Sequence, residues 1–241
     1  RLFSLASGST RLDTLRLSLV EKSTRLSFNG QLTNNRRNPM AVFNILFDGQ
    51  VQEHGASIGV RYFDEQGLLN ARLGTKVTMV DQGLRFVLLP ARPMLGYKEF
   101  ALNDDNYLLL HNDMRIEADI DLKDDDGTQL KVYTGNPGGV TTEDTTENTL
   151  LQDITISIHQ LDLGKLTHGV AMLPNIDGVL EGDYHLMRDM DRNLQVASDM
   201  NVTGMAYEGS HIGNIGSEFV YLLREDETHV VDATLMLDGA P

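Results

Sequence analysis

Cysteine and tryptophan are absent from this chain of 241 residues, and aromatic residues make up only 6% of it. Without cysteine there is neither a disulfide scaffold nor a thiolate metal site. With so few aromatic rings, any interior is expected to be aliphatic and to contain methionine. Basic residues are also scarce: 20 Lys and Arg stand against 35 Asp and Glu, a formal net charge of −15. Such a surface repels phosphate backbones and anionic headgroups, which argues against nucleic acid as a partner and against membrane docking through a basic patch. No run approaches the ~20 apolar residues of a transmembrane helix, and Arg1 to Thr14 lacks the order of a signal peptide. A signal or membrane anchor is therefore expected outside this sequence, and the chain is expected to be an internal piece of a longer protein.

What the chain does have is alternation with a period of two, the mark of a strand with one apolar face. Leu15, Leu17 and Leu19 alternate with polar residues, as do Leu26, Phe28, Gly30 and Leu32, then Ala41, Phe43, Ile45 and Phe47. Asp48-Gly49 reads as a hairpin signal. Strand patterns continue over 57–63, 69–73 and 84–89, and Pro90 to Gly96 reads as a crossing loop or a sheet edge. The cleanest alternation is Met114, Ile116, Ala118, Ile120 and Leu122 against Arg115, Glu117, Asp119, Asp121 and Lys123, closed by a turn at Asp124 to Gly127. Gly135 to Thr149 has no apolar period and reads as a flexible loop between a first section, 1–134, and a second, 150–241, expected to continue beyond Pro241. In the second section Ile154, Ile156 and Ile158 resume the pattern. A short helix capped by Asp162 is expected within 162–170. Ile176 to Leu186, Leu194 to Val202, Phe219 to Leu223 and Val231 to Leu237 complete an all-β chain with almost no helix.

Motifs for chemistry fail on context. Gly55-Ala56-Ser57-Ile58-Gly59 has the letters of a nucleophile elbow, but the elbow needs a helix after it and here a strand pattern follows. Setting Gly127 at the sixth position of a calcium loop puts Leu122 and Tyr133 where acids are required. The seven histidines show no zinc-binding spacing. No cofactor is implied and an enzyme is not expected.

Burying each large apolar side chain is worth about 1.5 to 3 kcal/mol, so ten or more strand faces cannot all stand in water. They line either a closed core or a long groove. The order of features from Ile154 onward resembles the AsmA-like family, in particular its TamB-like translocation and assembly module proteins. The resemblance rests on Leu161-Asp162-Leu163-Gly164-Lys165-Leu166, Pro174-Asn175-Ile176-Asp177-Gly178-Val179-Leu180-Glu181-Gly182, Met205-Ala206-Tyr207-Glu208-Gly209 and Ile212-Gly213-Asn214-Ile215-Gly216, with the segment Phe100 to Leu122. It covers roughly the last three-fifths of the chain.

The resemblance implies a β-taco, a long twisted sheet folded into an open trough, apolar within. It implies a periplasmic protein of a diderm bacterium, held in the inner membrane by an anchor elsewhere and meeting an Omp85-class outer-membrane barrel. The trough would carry phospholipid acyl chains between the two membranes. The residues expected to line it are Met114, Ile116, Ile120, Leu122, Ile154, Ile156, Ile158, Leu180, Leu186, Leu194, Val196, Phe219, Tyr221, Leu235 and Leu237. Two alternatives stay open: an assembly factor for outer-membrane barrels that acts by strand pairing, and an inert β-rich spacer with a sealed interior.

Overall fold

A computed structural model describes residues 2–7, 10–34, 42–135, 150–171, 173–189, 193–224 and 226–239. Strands account for 76% of these and helix for 2%, so the period-two patterning governs nearly the whole chain. The strands are β1 (Leu2–Ser7), β2 (Thr10–Lys22), β3 (Arg25–Asn34), β4 (Phe43–Gln52), β5 (Gly55–Phe63), β6 (Leu69–Val80), β7 (Gly83–Leu95), β8 (Lys98–Glu99), β9 (Ala101–Leu102), β10 (Tyr107–His111), β11 (Ile116–Lys123), β12 (Gln129–Thr134) and β13 (Leu150–Asp162). Helix α1 (Leu163–Thr167) follows, then β14 (Ile176–Asp189), β15 (Leu194–Tyr207), β16 (Ser210–Leu223) and β17 (His229–Asp238).

They form one open antiparallel sheet that does not close into a barrel. Neighbours in the chain are neighbours in the ladder from β1 to β7 and from β10 to β17. The join is β7 with β10, where Phe86 faces Leu108 and Leu84 faces Leu110. The short strands β8 and β9 fill the slot that β10 leaves open between the far halves of β7 and β11. The two sections read from the sequence are stitched directly together, because β12 and β13 pair from Gln129↔His159 to Thr134↔Ile154. Of the loop expected between them, residues 136–149 lie outside the described residues.

Two expectations about chain breaks are corrected. Asp48 and Gly49 lie in the middle of β4, and the hairpin falls instead at Glu53 and His54. Asp48 is held in the strand by Arg61 across the ladder, at 3.2 Å, while Gly49 leaves room for the ring of Phe28, its direct cross-strand partner. The reciprocal arrangement lies one step along, where Phe47 covers Gly30. A ring lying over a glycine fills the space that a missing side chain would leave in a sheet. Pro90 and Pro93, in turn, belong to β7 itself. The register with β6 jumps between Gly74↔Leu89 and Arg72↔Met94, so these residues lie in an irregularity that requires no ladder N–H from proline.

Five-residue connections recur at both ends of the sheet. In 64–68, 111–115, 124–128 and 224–228 the first residue's N–H donates to the fifth residue's carbonyl, at 2.8 to 3.0 Å. The fourth residue of each has a left-handed backbone: Gly67 at φ 80°, Met114 at 69°, Gly127 at 96° and Glu227 at 60°. In two of them an aspartate at the first position fixes the turn. Asp64 Oδ1 accepts from the N–H groups of Gln66 and Leu68, both at 2.9 Å, and Asp124 Oδ1 accepts from those of Asp126 and Thr128 at 2.9 and 2.7 Å. Asp124-Asp125-Asp126-Gly127 is therefore a backbone-capping turn, and its acids face Lys98 Nζ, at 2.7 Å from Asp124 and 2.9 Å from Asp126.

Candidate functional site: a continuous apolar stripe

Residues directly opposite one another in an antiparallel ladder share a face, so the register traces the stripe from strand to strand. Starting at Ile120 in β11, the partners are Val132 in β12, Ile156 in β13, Tyr184 in β14, Ser198 in β15, Phe219 in β16 and Ala233 in β17. A second line runs Leu122, Leu130, Ile158, Gly182, Met200, Ser217 and Leu235. A third joins Ile154, Leu186, Val196, Tyr221 and Val231, and a fourth joins Leu161, Leu180, Val202, Ile215 and Leu237. Ile116 lies on the same face of β11 as Ile120, and Leu194 on the same face of β15 as Val196. The expected lining residues thus fall on one side of one sheet, with a single exception.

The exception is Met114, which precedes β11 and occupies the left-handed fourth position of the 111–115 turn, 71% exposed. The alternation there mimics a strand by one residue. In the other direction the stripe reaches parts of the chain that were read only as generic strands. From Ile116 it passes to Leu110, Leu84 and Met79, and from Ala118 to Leu108, Phe86, Val77, Ala56, Val51 and Leu26. The same alternation is present in the sequence for those on β3 to β7, but Tyr107 to His111, with three successive leucines, shows none and was not read as a strand.

The opposite face is polar. Glu117, Asp119, Asp121 and Lys123 of β11 are followed by Lys131, Ser157, Asp183, Asp199, Glu218 and Thr234 along one register line from Asp121. Gln129 donates to Asp121 at 2.7 Å, and His185 meets Asp153 at 2.5 Å. Histidines here pair with single carboxylates, as His111 does with Glu117 at 3.2 Å and His168 with Asp177 at 3.0 Å. Among the described residues no group of three or more such side chains could hold a metal ion. Ser57 sits inside β5, with no turn to strain it outward. Tyr107, hydrogen-bonded to Glu117 at 2.6 Å, has its hydroxyl pushed up to about 12 by that bond and by burial. This pairing lies on the polar face.

Burial along the stripe is uneven. Pro93 aside, only eight apolar side chains are buried among the described residues: Phe43, Phe100, Leu102, Leu109, Ala118, Leu122, Leu161 and Val202. Six of these, all but Leu109 and Ala118, lie toward the rim where β3, β5, β7, β11 and β13 end. Phe100, Leu102 and Leu122 form a cluster there, flanked by Leu88, Leu95, Ile120 and Leu130. At the opposite rim Leu19 is 59% exposed, Met79 60% and Val51 44%. Ile156, in the middle of the stripe, is 42% exposed and Leu235, on the last strand, 76%. The stripe is thus a partly covered surface, not the interior of an interdigitated sandwich.

At the buried rim the sheet curls. Asp162 caps α1 by accepting from the N–H of Lys165 at 3.1 Å, as its sequence position predicts. The chain leaving α1 then reaches β5, where the N–H of Ala171 donates to the hydroxyl of Tyr62 at 2.6 Å. Tyr62 faces Ile45 and Ala71 in the ladder, on the apolar side. A contact between it and the connection from β13 to β14 requires the apolar face to be the inside of the curl. At the same rim Tyr97, in the turn after β7, donates to Asp64 Oδ2, in the turn after β5, at 2.6 Å. Burial opposes ionisation of Asp64, but this hydrogen bond and the backbone N–H donors outweigh it and hold the carboxyl below its usual range.

Among the described residues no helix is long and apolar enough to cross a membrane. No family model matches the chain, and no curated protein or solved structure is significantly similar to it.

Proposed function

We propose that this chain is a periplasmic section of a TamB-like envelope protein of a diderm bacterium and that its apolar stripe carries the acyl chains of phospholipids. The reading rests on one observation: a single, largely apolar face runs from strand to strand across the ladder, and most of it is left partly open. A lipid crossing water exposes its tails at about 0.8 kcal/mol per CH₂. A one-sided sheet that curls around those tails removes this cost with no chemistry, and the reading assigns no catalytic residue and no cofactor. The polar face supplies a hydrated exterior. Transfer would run between an inner membrane, reached through an anchor elsewhere in the protein, and an outer-membrane barrel of the Omp85 class.

Native mass spectrometry of the chain purified from a diderm host tests the proposal. Bound phospholipid in about stoichiometric amount is expected, and repeated recovery of lipid-free protein that still has its β-sheet spectrum would sink it.

The alternative of an assembly factor that pairs with nascent barrel strands would be favoured by crosslinks from the sheet to outer-membrane protein precursors, in preparations free of lipid. A sealed spacer is the least compatible with a stripe whose central residues stay accessible.

A further inference from the structure

The polar face of the sheet is electrically divided where β7 joins β10, and we infer that it is a self-complementary surface through which two copies of this chain pair back to back. The net charge of −15 hides the division. Residues 1–100 carry 13 Lys and Arg against 8 Asp and Glu, while 101–241 carry 7 against 27. The ladder sorts these charges onto one face. On the polar side of β2 to β7 the exposed bases are Arg16, Lys22, Arg25, Arg61 and Lys76, with Asp48 the exposed acid among the described residues. On the polar side of β11 to β17 the exposed acids are Asp119, Glu181, Asp183, Asp199, Glu218 and Asp232, set against Lys123 and His159.

Within each half, like charges stand directly opposite one another. Lys22 faces Arg25 and Arg61 faces Arg72 in the first, while Asp183, Asp199 and Glu218 follow in succession in the second. Arg61 and Arg72 find one acid each, Asp48 and Glu99, but the three acids make no ion pair among the described residues. Like charges repel across a ladder, so each half gains when a surface of opposite sign covers it.

The occupant follows from symmetry. A basic macromolecule would satisfy only β11 to β17, and an acidic one only β2 to β7. A second copy satisfies both when a two-fold axis runs parallel to the strands along the join of β7 with β10. Polar face then meets polar face, and the basic half of each copy lies over the acidic half of the other. A two-fold axis along the ladder would set like on like. The pairing is isologous and closes at two copies. Both apolar stripes point away from the contact, so pairing and lipid loading are separate events. The overall charge opposes association at long range, but at about 0.1 M salt the Debye length is only about 10 Å and charges in contact dominate.

Analytical ultracentrifugation of the purified chain tests this. A species of twice the 26.8 kDa chain mass is expected at about 0.1 M salt, falling to the monomer at about 1 M. Two triple variants carry the charge argument further. Arg16→Glu with Arg25→Glu and Lys76→Glu makes the first half acidic, and Asp183→Lys with Asp199→Lys and Glu218→Lys turns the second half basic. All six residues are exposed, so both variants should keep the β-sheet spectrum. Each alone should dimerise more weakly than the parent by about tenfold or more, and an equimolar mixture should restore the dimer, because an acidic face then meets a basic one. A monomeric parent at about 0.1 M salt overturns the proposal, whether or not it binds vesicles of phosphatidylglycerol through its basic half. A dimer that survives about 1 M salt or persists in both variants overturns it too, as do folded variants that stay apart when mixed. If a variant fails to fold, the parent's response to salt decides the matter.

Discussion

Placing an arginine at Ile156 separates an open groove from a sealed core. Ile156 lies mid-stripe between Val132 and Tyr184 and is 42% exposed. Full burial of an isoleucine side chain is worth about 1.5 to 3 kcal/mol, so replacing one a little over half covered costs about 1 to 1.5 kcal/mol. The guanidinium adds little if the face is open, because a long cationic side chain can keep its head in water. Against a total stability of about 5 to 15 kcal/mol the variant stays folded. Leu122→Arg is the contrast. Leu122 is 7% exposed and packed with Phe100 and Leu102, so its charge would be buried without a partner at a cost of several kcal/mol. Urea titration of both variants should show a small midpoint shift for Ile156→Arg and gross unfolding for Leu122→Arg. Losing contact with about two methylenes weakens lipid binding by roughly 1.6 kcal/mol, or about 15-fold, which lipid extraction measures. Equal unfolding in the two variants would refute the open stripe, and undiminished lipid in a folded Ile156→Arg would refute its use.

Met114→Gly should raise stability by about 1 kcal/mol, because a left-handed backbone at φ 69° strains any residue with a Cβ. It should also leave lipid occupancy unchanged, since Met114 lies in a turn off the stripe; thermal melts and lipid extraction check the two parts. Acid should loosen the buried rim first. Asp64 and Asp124 are both held below the usual carboxylate range, burial being outweighed by Tyr97 and backbone donors at Asp64 and by Lys98 and Thr128 at Asp124. A carboxyl with a depressed folded-state pKa stabilises the fold above its unfolded pKa and loses that contribution as pH falls through the folded value. Amide exchange in the 64–68 and 124–128 turns should therefore accelerate below about pH 4, ahead of exchange in β14 and β15.

For most strands existence and sidedness were legible because both depend only on the neighbouring residues, whereas β1, β8, β9 and the joining strand β10 went unread. The alternation at Ile116 to Leu122, at Ile154 to Ile158 and through β14 to β17 fixes which residues share a face, and the ladder then aligns them. Helix α1 was legible for a similar reason, since its cap is made by Asp162 three residues before Lys165. What was not legible depends on partners far away in sequence. Asp48-Gly49 stays in its strand only because Phe28 and Arg61 meet it from β3 and β5. Pro90 and Pro93 are accommodated by a register jump against β6. The closure of the buried rim hangs on residues such as Tyr62 and Ala171, 109 positions apart, for which no local pattern exists. Phe100 is a single aromatic in a polar stretch, and its burial follows from β8 and β9 sharing one slot.

An open stripe also makes stability depend on what fills it. Ile156, Val51, Met79 and Leu235 keep much of their surface in water, so the lipid-free sheet forgoes part of the apolar burial that a closed domain of this size would have. A ligand that binds only the folded state stabilises it by RT ln(1 + [L]/Kd), about 2.7 kcal/mol at a hundredfold excess over Kd. For a chain of this length that is a rise in melting temperature on the order of 5 to 11 °C, at roughly 2 to 4 °C per kcal/mol. Calorimetry with increasing amounts of a short-chain phosphatidylcholine below its micelle concentration should show this rise. The same titration on Ile156→Arg should need about 15 times more lipid for an equal shift. A melting temperature indifferent to lipid in both proteins would mean that the stripe is already satisfied by the sheet's own curl, and the transport reading would then lose its physical basis.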